Sequence, residues 1–322
     1  MGLISRAFQM EGLNFLVTNR IPRRAATRAV GRISRIENES FVRLALWAWK
    51  LFAPELDLSE AKRTRYGSLR DFFVRELEPG SRPVDADPDV VVSPCDAVVG
   101  ECGQIDGDTL IQAKGLDYTL RELLCCEELA KRYENGRFVT LRLKATMYHR
   151  FHAPASGRIR QVNYISGDTW NVNPIAVARV ERLYCRNERA VLPIECSGGA
   201  GGLLTLVPVA AVGVATLRLH CLDRNLDLEY AGPNRLECDA RYEKGDELGW
   251  FEQGSTIILL AEDGLDLAPH VEQGTTIRVG QTLLNATGMS SPPHRTPPQG
   301  TEERSSPFAE RQFVRKDMET SR

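Results

Sequence analysis

The sequence predicts an α+β protein in which N-terminal helices precede a mostly antiparallel, β-rich core. Three observations support this fold class. Apolar residues recur at helical spacing over residues 10–60. From residue 89 onward, short β-branched runs bounded by turn residues dominate, without the regular alternation of a βαβ protein. Short runs separated by glycine turns over residues 244–284 indicate a compact barrel-like or sandwich-like portion.

Each element follows from a local signal. Ser, Asn and Glu before Phe41 predict the start of a helix, and Pro54 predicts its end. Short helices are predicted within 66–84 and over 119–132. The Pro-rich, Ser-rich segment 288–322 predicts a disordered tail. Strands are predicted on both sides of a turn within 89–105 and at 137–144, 157–165, 189–195, 203–220, 247–251, 256–261 and 276–284.

Charge is distributed unevenly along the chain. Residues 1–50 hold nine Arg or Lys against three Glu, whereas the remainder is acidic. This asymmetry indicates a basic arm that meets an anionic surface, either nucleic acid or membrane. The longest apolar run, Phe41–Phe52, is shorter than the roughly 20 residues that cross a bilayer. Residues 1–60 therefore predict amphipathic helices that lie on a membrane.

The eight cysteines contain no CxxC pair, and no signal peptide is evident at the start of the sequence. We therefore expect mostly buried, reduced thiols in a cytosolic protein. No metal site is expected, because the ligand spacing of zinc sites is missing.

Three short segments contain candidate catalytic residues. Asp96 lies in SPCDAVVG, in a turn between apolar runs, where it could equally be a turn-capping carboxylate. His149 and His152 form an H-x-x-H pair in MYHRFHAPASG and are candidates for proton transfer or for structural roles. Ser255 follows Gly254 in FEQGSTIILL, a pattern that also fits a simple β-turn.

The order of the motifs is more informative than any one of them. SPCDAVVG, YHRFHAPASG and KGDELGWFEQGST are accompanied by FFVRELEPGSRPV, NVNPIA, RNERAV and VGQTLL. Over residues 60–285 the chain resembles phosphatidylserine decarboxylase proenzymes, in which these motifs occur in the same order.

This resemblance implies a proenzyme that cuts itself between Gly254 and Ser255. The products would be a β chain, 1–254, and an α chain, 255–322, and the catalytic domain would span 61–287. Ser255 would become a covalent pyruvoyl cofactor that forms a Schiff base with the substrate. Asp96 and His152 would be catalytic with Ser255, while His149 and Tyr148 would assist or bind substrate.

The implied chemistry accounts for these residue types. Decarboxylation of an amine needs an electron sink, and a carbonyl cofactor supplies one. In the expected triad Asp96 orients His152, which takes the proton of Ser255 so that the hydroxyl attacks the Gly254 carbonyl. Ala97 stands where the family often has Gly, and Ala145, Thr146 and Met147 depart from its S-P-x-D pattern before Tyr148. These departures concern substrate preference more than reaction type.

The resemblance also implies partners and location. The substrate would be phosphatidylserine in a membrane, and no nucleic acid is expected. The protein would be a peripheral membrane protein facing the cytoplasm, in a bacterial cell membrane, and a homodimer. The anionic membrane surface would attract a run of basic residues, which comprises Arg20, Arg23, Arg24, Arg28, Arg32 and Arg35.

Two other functions stay open at this point. A serine hydrolase could use the same Asp-His-Ser triad on an external ester and would remain one chain. A biotinyl-like or lipoyl-like carrier would share the KGDELG…VGQTLL pattern, but residues 254–280 contain no Lys for a cofactor.

Overall fold

The computed structural model describes residues 22–199, 202–213, 216–252 and 256–288. Within these residues the α-helices are α1 (Arg23–Ser34), α2 (Glu39–Phe52), α3 (Leu69–Phe73), α4 (Leu120–Leu124), α5 (Glu127–Arg132), α6 (Pro174–Val177) and α7 (Leu183–Arg186). The strands are β1 (Val90–Val92), β2 (Ala97–Gln104), β3 (Thr109–Ala113), β4 (Leu116–Thr119), β5 (Arg137–Arg142), β6 (Arg150–His152), β7 (Gly157–Ile165), β8 (Arg189–Cys196), β9 (Gly202–Val209), β10 (Thr216–Leu219), β11 (Asn225–Asp227), β12 (Arg235–Tyr242), β13 (Glu247–Phe251), β14 (Thr256–Ala261), β15 (Leu265–Leu267), β16 (Thr276–Ile277) and β17 (Thr282–Ala286).

The largest sheet has eight strands in the order β12-β7-β8-β9-β14-β5-β2-β16, and all its pairings are antiparallel. Two smaller sheets have the orders β11-β10-β13-β6 and β1-β17-β15. The predicted α+β class is confirmed. No sheet among the described residues closes into a barrel, because β12 and β16 remain edges of the large sheet.

The central strands of the large sheet are buried on both faces. Along β14, Ile257 and Leu259 belong to one hydrophobic cluster, while Ile258 and Leu260 belong to another. The first cluster includes Phe251 and other residues of the smaller sheets, and the second includes residues of α4 to α7. Since side chains alternate across a strand, the large sheet lies between a layer of small sheets and a layer of short helices.

The N-terminal helices begin and end where local chemistry requires. The Asn38 side chain caps α2 by accepting a hydrogen bond from the Phe41 backbone N–H at 2.9 Å. Helix α2 ends before Pro54, as its sequence predicts. No helix in the described ranges is both long and apolar enough to cross a bilayer. The part of the predicted helical region before residue 22 lies outside the described residues, as does the predicted tail from residue 289 onward.

Two helix predictions were too long. The segment 119–132 contains two helices, because Cys125 adopts a left-handed conformation with φ of 52° that ends α4. In the 66–84 segment only α3 is helical, and a capping box between Ser68 and Asp71 starts it. All eight cysteines are free, but only Cys95 is buried, so the thiols are less buried than expected.

An aromatic cluster joins α2 to α3. Phe72 is fully buried and lies 5.8 Å from Trp49, 5.5 Å from Tyr66 and 5.2 Å from Phe73, measured between ring centroids. All three contacts are edge-to-face, the geometry that aromatic rings prefer. This cluster attaches the N-terminal helices to the rest of the chain.

We expect Phe72→Ala to lower the free energy of unfolding by about 3–5 kcal/mol, because it removes a fully buried ring and leaves a cavity. Urea denaturation would measure this change. Leu44→Ala is the matched control, since Leu44 is 63% exposed on α2 and should cost less than about 0.5 kcal/mol. Equal stabilities of the two variants would contradict this role for Phe72.

Candidate active site

The turn that contains Asp96 is held by the loop before β17. The Ser93 backbone accepts a hydrogen bond from Gly280 N at 3.0 Å and donates to the Gln281 carbonyl at 2.7 Å. The Val279 backbone N–H donates to Asp96 Oδ1 at 3.0 Å. The Asp96 carboxylate is therefore fixed in orientation as well as buried.

The main partner of Asp96 is Arg82. The Arg82 guanidinium donates to Asp96 Oδ1 from Nε at 2.9 Å and to Oδ2 from Nη2 at 2.6 Å. It also donates from Nη1 to Glu60 Oε2 at 2.8 Å. Although burial opposes its charge, these hydrogen bonds raise the pKa of Arg82 above its ordinary value. Asp96 is thus one member of a buried charge network.

His152 lies on β6, a strand that the sequence patterns did not identify. Its backbone N–H donates to the Pro94 carbonyl at 2.7 Å, which brings the strand against the Asp96 turn. Its Nδ1 lies 2.8 Å from the Gly245 carbonyl, and its Nε2 lies 3.1 Å from the Tyr148 hydroxyl. Burial lowers the pKa of His152, against a raising effect of the Gly245 contact.

These contacts determine the tautomer of the neutral ring. A carbonyl oxygen can only accept, so Nδ1 must carry the proton that it donates to Gly245. Nε2 is then an unprotonated acceptor for the Tyr148 hydroxyl. His152 therefore has the form of a general base whose lone pair points toward Tyr148.

The expected hydrogen bond between Asp96 and His152 is not formed. Asp96 is paired with Arg82 instead, because a guanidinium matches the two oxygens of a carboxylate better than one imidazole N–H does. The Gly245 carbonyl orients the His152 ring in its place. The Asp96 charge still helps to raise the pKa of His152, so the two groups influence each other electrostatically.

His149 differs sharply from His152. Its side chain is fully buried, packs edge-to-face on Phe73 at 5.6 Å, and neither ring nitrogen has a hydrogen-bond partner among the described residues. Burial, with the nearby charge of Arg75, lowers the pKa of His149 to about 3. The ring is therefore uncharged at neutral pH and retains unused capacity for hydrogen bonding.

The predicted cleavage site, Gly254 and Ser255, lies outside the described residues, but both flanking residues are firmly held. Glu252 is buried, and its carboxylate lies 3.2 Å from Arg35 Nη2 and 2.8 Å from Arg70 Nε. Thr256 is fully buried at the start of β14, paired with β5 on one side and β9 on the other. Three residues connect these fixed ends.

The polar cluster at 187–189 serves the structure. The Asn187 side-chain amide donates to the carbonyls of Trp170 and Ala210 at 2.9 and 2.8 Å. Arg189 donates to backbone carbonyls, among them that of Leu123 at 2.7 Å. Burial raises the pKa of Glu188 to about 7. The described ranges contain no group of three or more His, Cys, Asp or Glu side chains placed to hold a metal.

A groove of about 480 Å³ lies between α2 and the large sheet. Its lining includes the apolar residues Trp49, Ala53 and Phe73 and the basic residues Arg142 and Lys144. Sequence reasoning missed Arg82, Glu252, Arg142 and Gly245. Arg142 follows four consecutive buried residues along β5, so no alternating pattern marked it.

Comparisons with known proteins agree on one family. The sequence profile of the family described as phosphatidylserine decarboxylase matches residues 69–285. A phosphatidylserine decarboxylase proenzyme of Brevibacillus brevis is 38% identical over 270 residues, which cover 82% of this chain and 95% of that protein. Proteins of the same name from Anaeromyxobacter sp. (strain K) and Shewanella sediminis are 39% and 32% identical, covering 83% and 84% of this chain and 95% and 98% of those proteins.

The burial of His149 has a consequence for stability. Its pKa of about 3 lies below the ordinary value of 6.5, so the unfolded chain takes up a proton first as the pH falls. The stability that depends on the neutral ring is complete above pH 6.5 and is lost as the pH falls toward 3. We expect His149→Phe to flatten the dependence of the unfolding free energy on pH between 6 and 4 by about 1.4 kcal/mol per pH unit.

Urea titrations at several pH values, in a Ser255→Ala background that keeps one chain, would measure this slope. His270→Phe is the control, because it removes an exposed imidazole instead of a buried one. A His149→Phe slope as steep as that of the parent would show that His149 is not buried in its neutral form.

Proposed function

This chain belongs to the phosphatidylserine decarboxylase family, and we propose that it converts phosphatidylserine to phosphatidylethanolamine through a pyruvoyl group made from its own Ser255. One observation carries the proposal beyond family membership. The Phe251 backbone N–H donates to the His149 carbonyl at 3.1 Å, so the chain leading to Gly254 is hydrogen-bonded to the histidine motif. This contact, between the strand that leads to the proposed cleavage site and the proposed catalytic histidines, supports the proposal.

In the proposed self-cleavage, the Ser255 hydroxyl attacks the Gly254 carbonyl carbon, and the peptide bond is replaced by an ester. Elimination breaks the ester C–O bond and leaves Gly254 as a carboxylate and residue 255 as dehydroalanine. Addition of water to that residue releases ammonia and leaves the pyruvoyl carbonyl. The products are the β chain, 1–254, and the α chain, 255–322.

His152 is the proposed base for the first step. Its neutral tautomer, held by Gly245, leaves Nε2 free to accept a proton. Tyr148 occupies that nitrogen and must give way to Ser255 or relay its proton. Asp96 acts through its charge, which favours the protonated ring after the transfer.

The residues present fit a pyruvoyl group at position 255. That group would supply the electron sink for the departing carboxylate. His149 offers an uncharged imidazole whose two nitrogens have no hydrogen-bond partner in the described part of the chain, so it is suited to donate a hydrogen bond without adding charge. The groove lined by Arg142, the strand partner of Thr256, offers space for substrate. His152 is the candidate to return a proton to the α-carbon.

We expect purified protein to contain two fragments, and Ser255→Ala to remain full length because the attacking hydroxyl is gone. Intact mass measurement under denaturing conditions would report both outcomes and would show a blocked N-terminus on the 255–322 fragment. A single wild-type chain with a free Ser255 would instead favour a serine hydrolase.

The two histidines provide a matched comparison within this experiment. His152→Ala should remain uncut, because its Nε2 is the proposed base. His149→Ala should cut at least partly and then decarboxylate phosphatidylserine slowly. The reverse pattern would show that the two roles are exchanged.

We also propose that α2 lies on the membrane that supplies the substrate. Its outward face carries large apolar residues at helical spacing, and Leu44, Trp47 and Leu51 are 63%, 62% and 63% exposed. The arginines within and directly after α1 contribute less to membrane binding than the sequence suggested. Arg23 lies 2.5 Å from Asp168 and Arg35 lies 3.2 Å from Glu252, so these charges are used within the protein.

We expect the wild-type protein to sediment with vesicles containing anionic lipid, and partly to be released by high salt, which screens the remaining basic residues. Trp47→Gln combined with Leu51→Gln should reduce sedimentation while self-cleavage continues. The control is Ile111→Gln, which removes a 48% exposed apolar residue from β3. Unchanged sedimentation of the α2 variant would rule out this face as the docking surface.

A further inference from the structure

The guanidinium of Arg142 is the unusual charge of the groove beside α2. It is half-buried, and burial lowers its pKa below the ordinary value. No hydrogen bond or ion pair joins it to another residue of the described ranges. A cation withdrawn from water without a counter-charge is costly. The charge therefore suits a site whose anion arrives with a ligand.

The surroundings of Arg142 favour an anionic group attached to a lipid. Lys144 adds a second, exposed cation, while among the described residues the exposed Glu55 is the one acidic side chain lining the groove. The Tyr184 hydroxyl near Arg142 is kept protonated by burial, so it cannot serve as the counter-charge. The lining also includes the apolar side chains of Trp49 and Phe73, and Trp49 belongs to α2, the helix that presents the exposed apolar face.

Arg142 is also close to the reacting position along the sheet. It pairs with Thr256 between β5 and β14, and paired Cα atoms of antiparallel strands are about 5 Å apart. Ser255 is bonded directly to Thr256. A substrate attached at position 255 would bring the atoms next to its reacting carbon within reach of the long Arg142 side chain.

We propose that Arg142 binds the phosphate of the phospholipid substrate and is a specificity-determining residue. This inference rests on the proposed decarboxylation. A guanidinium held against the departing carboxylate would stabilise the charge that the reaction must remove, and would slow it. The phosphodiester keeps its charge throughout the reaction, so a contact with it stabilises the bound substrate and the bound transition state equally. Its oxygens also match the fork of a guanidinium.

Equal stabilisation of the bound substrate and transition state predicts that variants of Arg142 change KM more than kcat. Arg142→Gln should raise KM for phosphatidylserine in detergent micelles on the order of tenfold to a hundredfold, with kcat little changed. Arg142→Lys keeps the charge but not the forked geometry of the guanidinium, so its KM should lie between those of the wild type and Arg142→Gln. The control is Arg241→Gln, which makes the same charge change at an exposed site on the far edge strand β12. Self-cleavage in each variant reports that it folds.

A binding measurement separates this inference from the proposed function. Titration calorimetry of the processed protein with glycerol 3-phosphate should show binding that Arg142→Gln loses and Arg241→Gln keeps. Equal binding by wild type and Arg142→Gln, or no binding by either, would overturn the role of Arg142. A wild-type protein that binds glycerol 3-phosphate through Arg142 but does not decarboxylate phosphatidylserine would overturn the proposed function and leave the phosphate site standing.

Discussion

The passage of the chain from one sheet to another between Glu252 and Thr256 is the constraint on which the site depends. Strand β13 belongs to the four-stranded sheet and β14 to the centre of the eight-stranded sheet, so the two ends cannot move independently. Four residue steps span at most about 14 Å. Arg35 and Arg70 hold the first end by its carboxylate, and two strands hold the second. The proposed self-cleavage at Gly254 and Ser255 would therefore begin between two flanking residues that the fold holds in place.

The charges around this segment divide into those that are matched and those that are not. Asp96 and Glu252 are buried carboxylates with arginine partners, so they are internal parts of the fold. His149 needs no charged partner, because its pKa of about 3 leaves the buried ring uncharged at neutral pH. Arg142 keeps a charge with no ion-pair or hydrogen-bond partner among the described residues. The buried Arg75 nearby has the carbonyls of Thr146 and Met147 as partners, so its hydrogen bonds are made within the fold. An anionic substrate can supply the partner that Arg142 lacks.

The sequence predicted the class, most strands and the start and end of α2, because each depends on local signals such as the Asn38 cap and Pro54. The sequence identified His149 and His152 but not the difference between their surroundings. His149 lies just before β6 and His152 ends that strand, so His149 is fully buried while His152 meets Tyr148. The partner of Asp96 could not be predicted, since Arg82 lies in an irregular segment without periodicity.

The two faces of α2 connect the lipid surface to the groove. Trp47 and Leu51 face outward, while Trp49 and Ala53 line the groove. An α-helix with its side chains is about 10–12 Å across, and a helix lying in the interface buries its apolar face about 5–10 Å deep. A helix docked in this way would bring the groove to the level of the lipid headgroups. The phosphate could then reach Arg142 while the acyl chains stay in the bilayer, so that decarboxylation would not require extraction of the whole lipid.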